Sequence, residues 1–227
     1  MTVLSEGVEL AESEFAFENP HLLLPKLARS KAVTVIGAGG PGRQLALQLV
    51  ALGVSKLTVV DPTVVQQADV ALAGFSAHEV GCLKVDVVGS HCHQAHSLLD
   101  YTGVPLDFQS SAILAENVFC CVEHMASRRK VWQSLADQVR FYADVRMCAD
   151  AVSLFTANEG AGRLRYATNL AALDDHGPPA STGLVCTAGI AASLAVYQFA
   201  RHLRRLPVHQ QISFDPANGL YKVLNDE

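Results

Sequence analysis

The chain has 227 residues, half of them hydrophobic, and a formal net charge of −5. That is enough apolar material to bury a sizeable core as one α/β domain, and no run of Lys or Arg provides the basic footprint a nucleic-acid partner would need. The six cysteines lack the paired spacing of a zinc ribbon or a disulfide framework. No apolar run approaches a membrane span, and the acidic start lacks the order of a signal peptide, so a reduced, cytoplasmic protein without a membrane partner is expected.

In chain order, residues 1–31 read as an N-terminal arm, with HLLLPKLARSK (21–31) a helical turn leading into the first strand. The remainder, 32–227, is expected to be a single domain. Ala32 to Ile36 is apolar enough for a strand buried on both faces. A helix starts near Pro41, buries Leu45, Leu49 and Leu52, and stops at Gly53. Lys56 to Val60 is the second strand. Residues 62–74 look irregular, and one helical segment is expected from about Ala77 to Leu99, with Lys84 near its start.

Further strands are expected at Val104–Gln109, Val118–Val122, Val139–Ala143 and Ala151–Ala157, with a helix over 125–138. Arg163–Ala167 is read as a strand forming a hairpin with the last of these. Residues 169–183 form a linker rich in Pro, Gly and Asp. A long helix follows from about Val185 to Leu206, and QQISFDPANGLYKV closes the chain as two short strands around a turn. Helices alternate with strands early, then strands predominate. The expected class is therefore α/β, a Rossmann-like doubly wound mixed sheet, parallel in the N-terminal half with antiparallel strands in the C-terminal half.

The chemistry centres on VTVIGAGGPGRQLALQLVALGVSKLTVVD, residues 33–61. Gly37, Gly39, Gly40 and Gly42 lie where the first strand turns into the helix. Backbone N–H groups there, at the positive end of a helix dipole, can hold a phosphate. Asp61 ends the second strand, where a carboxylate can accept hydrogen bonds from ribose hydroxyls. This pattern fits a nicotinamide dehydrogenase as well as an ATP-using enzyme. The cluster His91-Cys92-His93-x-x-His96 reads as a solvated histidine face in preference to a metal site. Cys120 and Cys121, adjacent on a strand, are expected to point to opposite faces of the core.

Taken with VGCLKVD (80–86), VFCCVEHMASRR (118–129), CTAGIAASLAVYQFARHLRRL (186–206) and ISFDPANG (212–219), the glycine loop resembles that of the ThiF/MoeB/HesA family, relatives of the ubiquitin-activating enzymes. The resemblance implies adenylation, with ATP and Mg2+, of the C-terminal glycine carboxylate of a small ubiquitin-like or sulfur-carrier protein, by a homodimer. It places Lys84 on the phosphates, Glu123 at the family's metal-binding Asp, Arg128 on the family's helical arginine, and Cys186 on a cysteine some members use covalently. Each has a plainer reading: a solvated lysine, an acid favouring a helix dipole, an arginine paired with a surface acid, and a core thiol.

Two departures stand out. The family's Asn-x-x-Arg-Gln stretch should fall near Asp69–Ala73, which here reads DVALA, so its phosphate-contacting arginine is missing. Thr63 replaces a second acid after Asp61. Arg43, next to the glycine loop, is a candidate replacement cation. A catalytically degenerate member that binds a nucleotide or a partner is therefore the second hypothesis, and an NAD(P)-dependent oxidoreductase the third.

Overall fold

The computed structural model describes residues 23–109, 115–158, 160–172 and 184–224. Most of the expected arm and of the 169–183 linker lies outside them. One eight-stranded sheet organises the molecule, with strands β1 (Ala32–Ile36), β2 (Lys56–Val60), β3 (Asp100–Val104), β4 (Asn117–Cys120), β5 (Phe141–Cys148), β6 (Ala151–Ala157), β7 (Gln211–Asp215) and β8 (Leu220–Leu224). Their spatial order is β3-β2-β1-β4-β5-β6-β7-β8. The first five are parallel, and β6, β7 and β8 pair antiparallel. The expected mixed, doubly wound sheet is what the chain forms.

Strand alternation sorts the core into two layers. Val33, Val35, Leu57, Val59, Phe119, Phe141 and Leu154 face one side. There they meet α1 (Leu23–Arg29), α2 (Gly40–Leu52), α4 (Lys84–Ala95) and α7 (Val185–Leu203). Phe199 of α7 seats its ring against Phe119 and Phe141, with centroids 5.6 and 5.3 Å away, and so pins the long helix under β4 and β5. Ile36, Val60, Val118, Cys120 and Tyr142 face the other side, against α5 (Met125–Leu135) and α6 (Gly160–Ala172). Trp132, Tyr142 and Tyr166 pack there with centroids 4.7 to 5.2 Å apart. Cys120 and Cys121 do take opposite faces, both buried.

The first strand–helix–strand unit matches the expected bounds closely. Gly53 takes φ of +111° and donates to the Leu49 and Val50 carbonyls, which ends α2 as expected. Five expectations need correction. Residues 163–167 are helical within α6, because Gly162, Tyr166 and Leu170 fall on one face at four-residue spacing and are buried. The hairpin partner of β6 is β5, longer than expected and turned by Ala149 at φ +49°. β3 begins at Asp100 and not Val104, in register with Lys56 of β2. The single helix over 77–99 is broken: a 3-10 turn at Ala77–Glu79 closes with a Ser76/Glu79 capping box, Gly81 takes φ +90°, and α4 starts only at Lys84. The nominally irregular 62–74 stretch contains α3 (Gln67–Leu72).

Candidate functional site

Strand order reverses between β1 and β4, and a crevice opens at their carboxyl ends, where open α/β sheets bind ligands. It has two adjoining parts, of about 460 and 360 Å3. Gly39, Thr63, Lys84, Cys121, Val122 and Glu123 line both and form the wall between them. Ile36, Val60, Leu106, Phe108 and Val131 make the larger cleft apolar on one side, with Asp61 at its edge. The smaller cleft runs from Gly40 and Pro41 past Asp69 to Arg128 and Met147.

The glycine loop is shaped by lack of room. Gly37 takes φ of +96°, and a Cβ there would lie 2.8 Å from the Cys121 carbonyl. A Cβ on Gly42 would lie 1.8 Å from the Gly37 carbonyl oxygen. Gly40 sits under α7, where its Cβ would meet that of Ala188 at 3.1 Å. At Gly39 a Cβ would meet nothing within 4 Å, so the chain leaves open space at the one loop glycine shared by both clefts. That is the shape a phosphate cradle requires.

Asp61 is buried and tied both to the glycine loop and to its own loop. Its Oδ2 accepts from the Ala38 N–H at 2.7 Å, and its Oδ1 accepts from both the Thr63 N–H (2.8 Å) and the Thr63 hydroxyl (2.6 Å). A carboxylate oxygen accepts about two hydrogen bonds, so Oδ1 is filled and Oδ2 keeps capacity for one donor such as a ribose hydroxyl. Thr63, which stands where a second acid was expected, therefore serves as a hydrogen-bond donor that orients Asp61.

Lys84 opens α4 and lines both clefts. Its Nζ pairs with Asp69 Oδ2 at 3.1 Å, both side chains being largely buried. Glu123 is exposed and follows β4 into the shared wall. Among the described residues no group of three potential metal ligands forms, and Glu123 is the carboxylate of the shared wall, a hard oxygen donor of the kind Mg2+ takes. Arg128 is buried, and its acid partner is not at the surface: Nη1 donates to Asp144 and Nη2 to the Val145 carbonyl at 3.1 Å. Asp144 is fully buried and also accepts from Arg146 Nε (2.6 Å) and the Tyr166 hydroxyl (3.0 Å). Arg128 thus borders the smaller cleft as part of a charge network that no local pattern announces.

Cys186 opens α7 but lines neither cleft. It is exposed, as are Leu184 and Val185, so the core reading of this thiol is corrected. Arg43 likewise lines neither cleft. Its guanidinium lies over the Phe75 ring, 5.3 Å from the centroid, and faces His91. His91 Nε2–H donates to Glu79 Oε1 at 2.7 Å, leaving Nδ1 to accept from Arg43 Nη2 at 3.4 Å. Burial lowers the Arg43 pKa, though the Glu79 carboxylate opposes this. Arg43 is thus engaged with Phe75 and His91, outside the lining of both clefts. The histidine cluster is similarly absorbed: both His93 ring nitrogens face carbonyl oxygens, of Gly89 and Leu99, and burial pushes the Cys92 thiol up to about 12.

A doubly wound α/β protein with an open glycine cradle at its switch point is the class that this fold and crevice define. Residues 15–142, more than half of the chain, match the family model described as ThiF family, and the chain belongs to that family. Among solved structures it is similar to Escherichia coli MccB determined with ATP, with a TM-score of 0.69 and 12% identity over 89% of this chain and 66% of that one. It is also similar to the Microcin C7 biosynthetic enzyme MccB in complex with N-formylated MccA (TM-score 0.68, 13% identity, 89% and 66%). PaaA is a third such structure (TM-score 0.71, 11% identity, 88% and 74%). The chain thus spans just under two thirds of the MccB length, and at these identities the likeness is one of fold. No curated protein sequence matches it. No helix among the described residues is long and apolar enough to cross a membrane.

Proposed function

We propose that the chain activates a carboxylate by adenylation, using ATP, and that the carboxylate is the C-terminus of a small ubiquitin-like or sulfur-carrier protein or peptide. The observation that carries this reading is the shared wall: an open glycine, a cation and a carboxylate stand between two clefts at the switch point of a ThiF-family fold. The larger cleft suits a base and ribose, with apolar lining and a free acceptor on Asp61. The smaller cleft suits the incoming tail. ATP supplies an electrophilic α-phosphate there. Lys84 would offset the negative charge that gathers when a carboxylate attacks it and the bond to the bridging oxygen breaks to release pyrophosphate, and Glu123 would hold Mg2+ against the phosphates. Arg128 positions the end of β5 through Asp144. That MccB was solved with ATP and with MccA supports both halves of this assignment.

Carrier-dependent exchange of pyrophosphate into ATP, lost in Lys84→Ala, is the test. No exchange with any co-encoded ubiquitin-like protein or short peptide would remove the reading. One observation favours a second reading, a nucleotide-binding member without turnover: Asp69 stands on Lys84 where the resemblance expects an arginine nearby. Calorimetric ATP binding without exchange would select it. Cys186, exposed and outside both clefts, is assigned a covalent role only if a thioester or acyl disulfide with the carrier is trapped in the wild type and lost in Cys186→Ser.

A further inference from the structure

The Asp69–Lys84 pair occupies the place where a nucleotide's phosphates would have to be neutralised. Asp69 lines the smaller cleft, and Lys84 lines both. The pair is mostly shielded from solvent, with side chains 18% and 12% exposed, so it is screened far less than a surface ion pair. Asp69 is also fixed from behind. The same Oδ2 that meets Lys84 accepts from the Gln66 N–H at 2.8 Å, closing the capping box that starts α3. Its carboxylate is therefore held in place by the backbone, while Lys84 is the long, flexible partner. Among the described residues that line the smaller cleft, the other cation, Arg128, is committed to Asp144; Arg43 lines neither cleft and faces His91, and Lys130 lines only the larger cleft.

We propose that Asp69 is a built-in counter-anion that holds Lys84 in the phosphate's stead, so that nucleotide binding is an exchange of anions on one lysine. The inference rests on the reading of Lys84 as the phosphate cation. It makes Asp69 the residue that sets how tightly the site takes a polyphosphate compared with a bare nucleoside. Adenosine, which carries no phosphate, does not compete with Asp69. A triphosphate must displace it, and Lys84 then swings from one anion to another without an uncompensated buried charge in the empty site.

Calorimetry with MgATP and with adenosine on four proteins tests this: wild type, Asp69→Asn, Lys84→Ala and the double variant. Asn keeps an acceptor for the Gln66 N–H, and Asp69→Ser serves should the first variant not fold. Asp69→Asn is expected to bind MgATP about tenfold tighter, the scale of one charge-assisted hydrogen bond, with adenosine binding unchanged. That gain should vanish when Lys84 is also Ala. ATP affinity equal to or below wild type in Asp69→Asn, with adenosine still bound, would overturn the proposal and leave the nucleotide reading standing. Absence of both ligands from all four proteins would overturn the nucleotide reading and this inference with it.

Discussion

On the β1–β2 side of the crevice, Gly37 and Gly42 have no room for a methyl group, and Asp61 is held by two donors from Thr63 and one from Ala38 in the glycine loop. On the side formed by α3, α4 and β5, polar and charged side chains hold one another: Lys84 with Asp69, Glu79 with Arg43 by way of His91, and both Arg128 and Arg146 with Asp144. Backbone close packing fixes a shape and tolerates almost no change. Opposed charges fix a potential, and one substitution can retune it or unbalance it. The contrast says where this chain can vary its chemistry, because the departures from the family pattern, Thr63 apart, fall on the charged side.

Breaking the charged side at its most buried point should cost most. Arg128 and Asp144 are both almost inaccessible, so Arg128→Ala leaves a carboxylate buried with one fewer cation. About 3–5 kcal/mol of stability should be lost, read by urea denaturation. A loss under about 1 kcal/mol would mean that Asp144 is satisfied by Arg146 and Tyr166 alone. On the backbone side, Gly42→Ala forces a Cβ against the Gly37 carbonyl oxygen and should cost about 3 kcal/mol by the same measurement.

The two sides also differ in how far the sequence disclosed them. The glycine loop, α2, β2 and Asp61 lie within 29 consecutive residues, and their constraints are local, so turn chemistry and apolar spacing placed them nearly residue by residue. The charged side is assembled from segments far apart in sequence. Asp144 lies just past Ala143, where the spacing ends the expected strand, and its partners come from α5, α6 and its own strand. Residues 163–167 misled because Leu164 and Tyr166 alternate like a strand, whereas the four-residue spacing of Gly162, Tyr166 and Leu170 is the one that burial follows. In the sequence Asp69 stands out only as the first residue of a stretch lacking an arginine. Its meeting with Lys84 depends on Gly81 and the Ser76 capping box, which delay α4 until Lys84 is its first residue.

Gly39 sharpens the comparison at smaller amplitude. It shares the loop with Gly42 but has open space where its Cβ would be, and its φ of −70° suits any residue. Gly39→Ala should change stability by no more than about 0.5 kcal/mol while weakening ATP binding, because the added methyl enters the space between the clefts. Equal destabilisation by Gly39→Ala and Gly42→Ala would show that the loop is sensitive throughout and not only where it is crowded.

The smallest expected effect is a pH dependence on the charged side. Burial alone would raise the Glu79 carboxyl, but the Ser76 N–H and the adjacent His91 outweigh it and leave its pKa below the ordinary 4.5. A carboxylate depressed in the folded state contributes stability that is complete above its unfolded value. That contribution should begin to fall once the pH drops below about 4.5 and be gone below the folded value. Unfolding midpoints of wild type and Glu79→Gln, followed from neutral pH downward, should therefore differ at neutral pH and converge as the solution is acidified. Curves that stay parallel through that window would mean that Glu79 holds the 73–80 segment by shape and not by charge. The Arg43–His91–Glu79 chain would then belong with the close-packed side of the crevice.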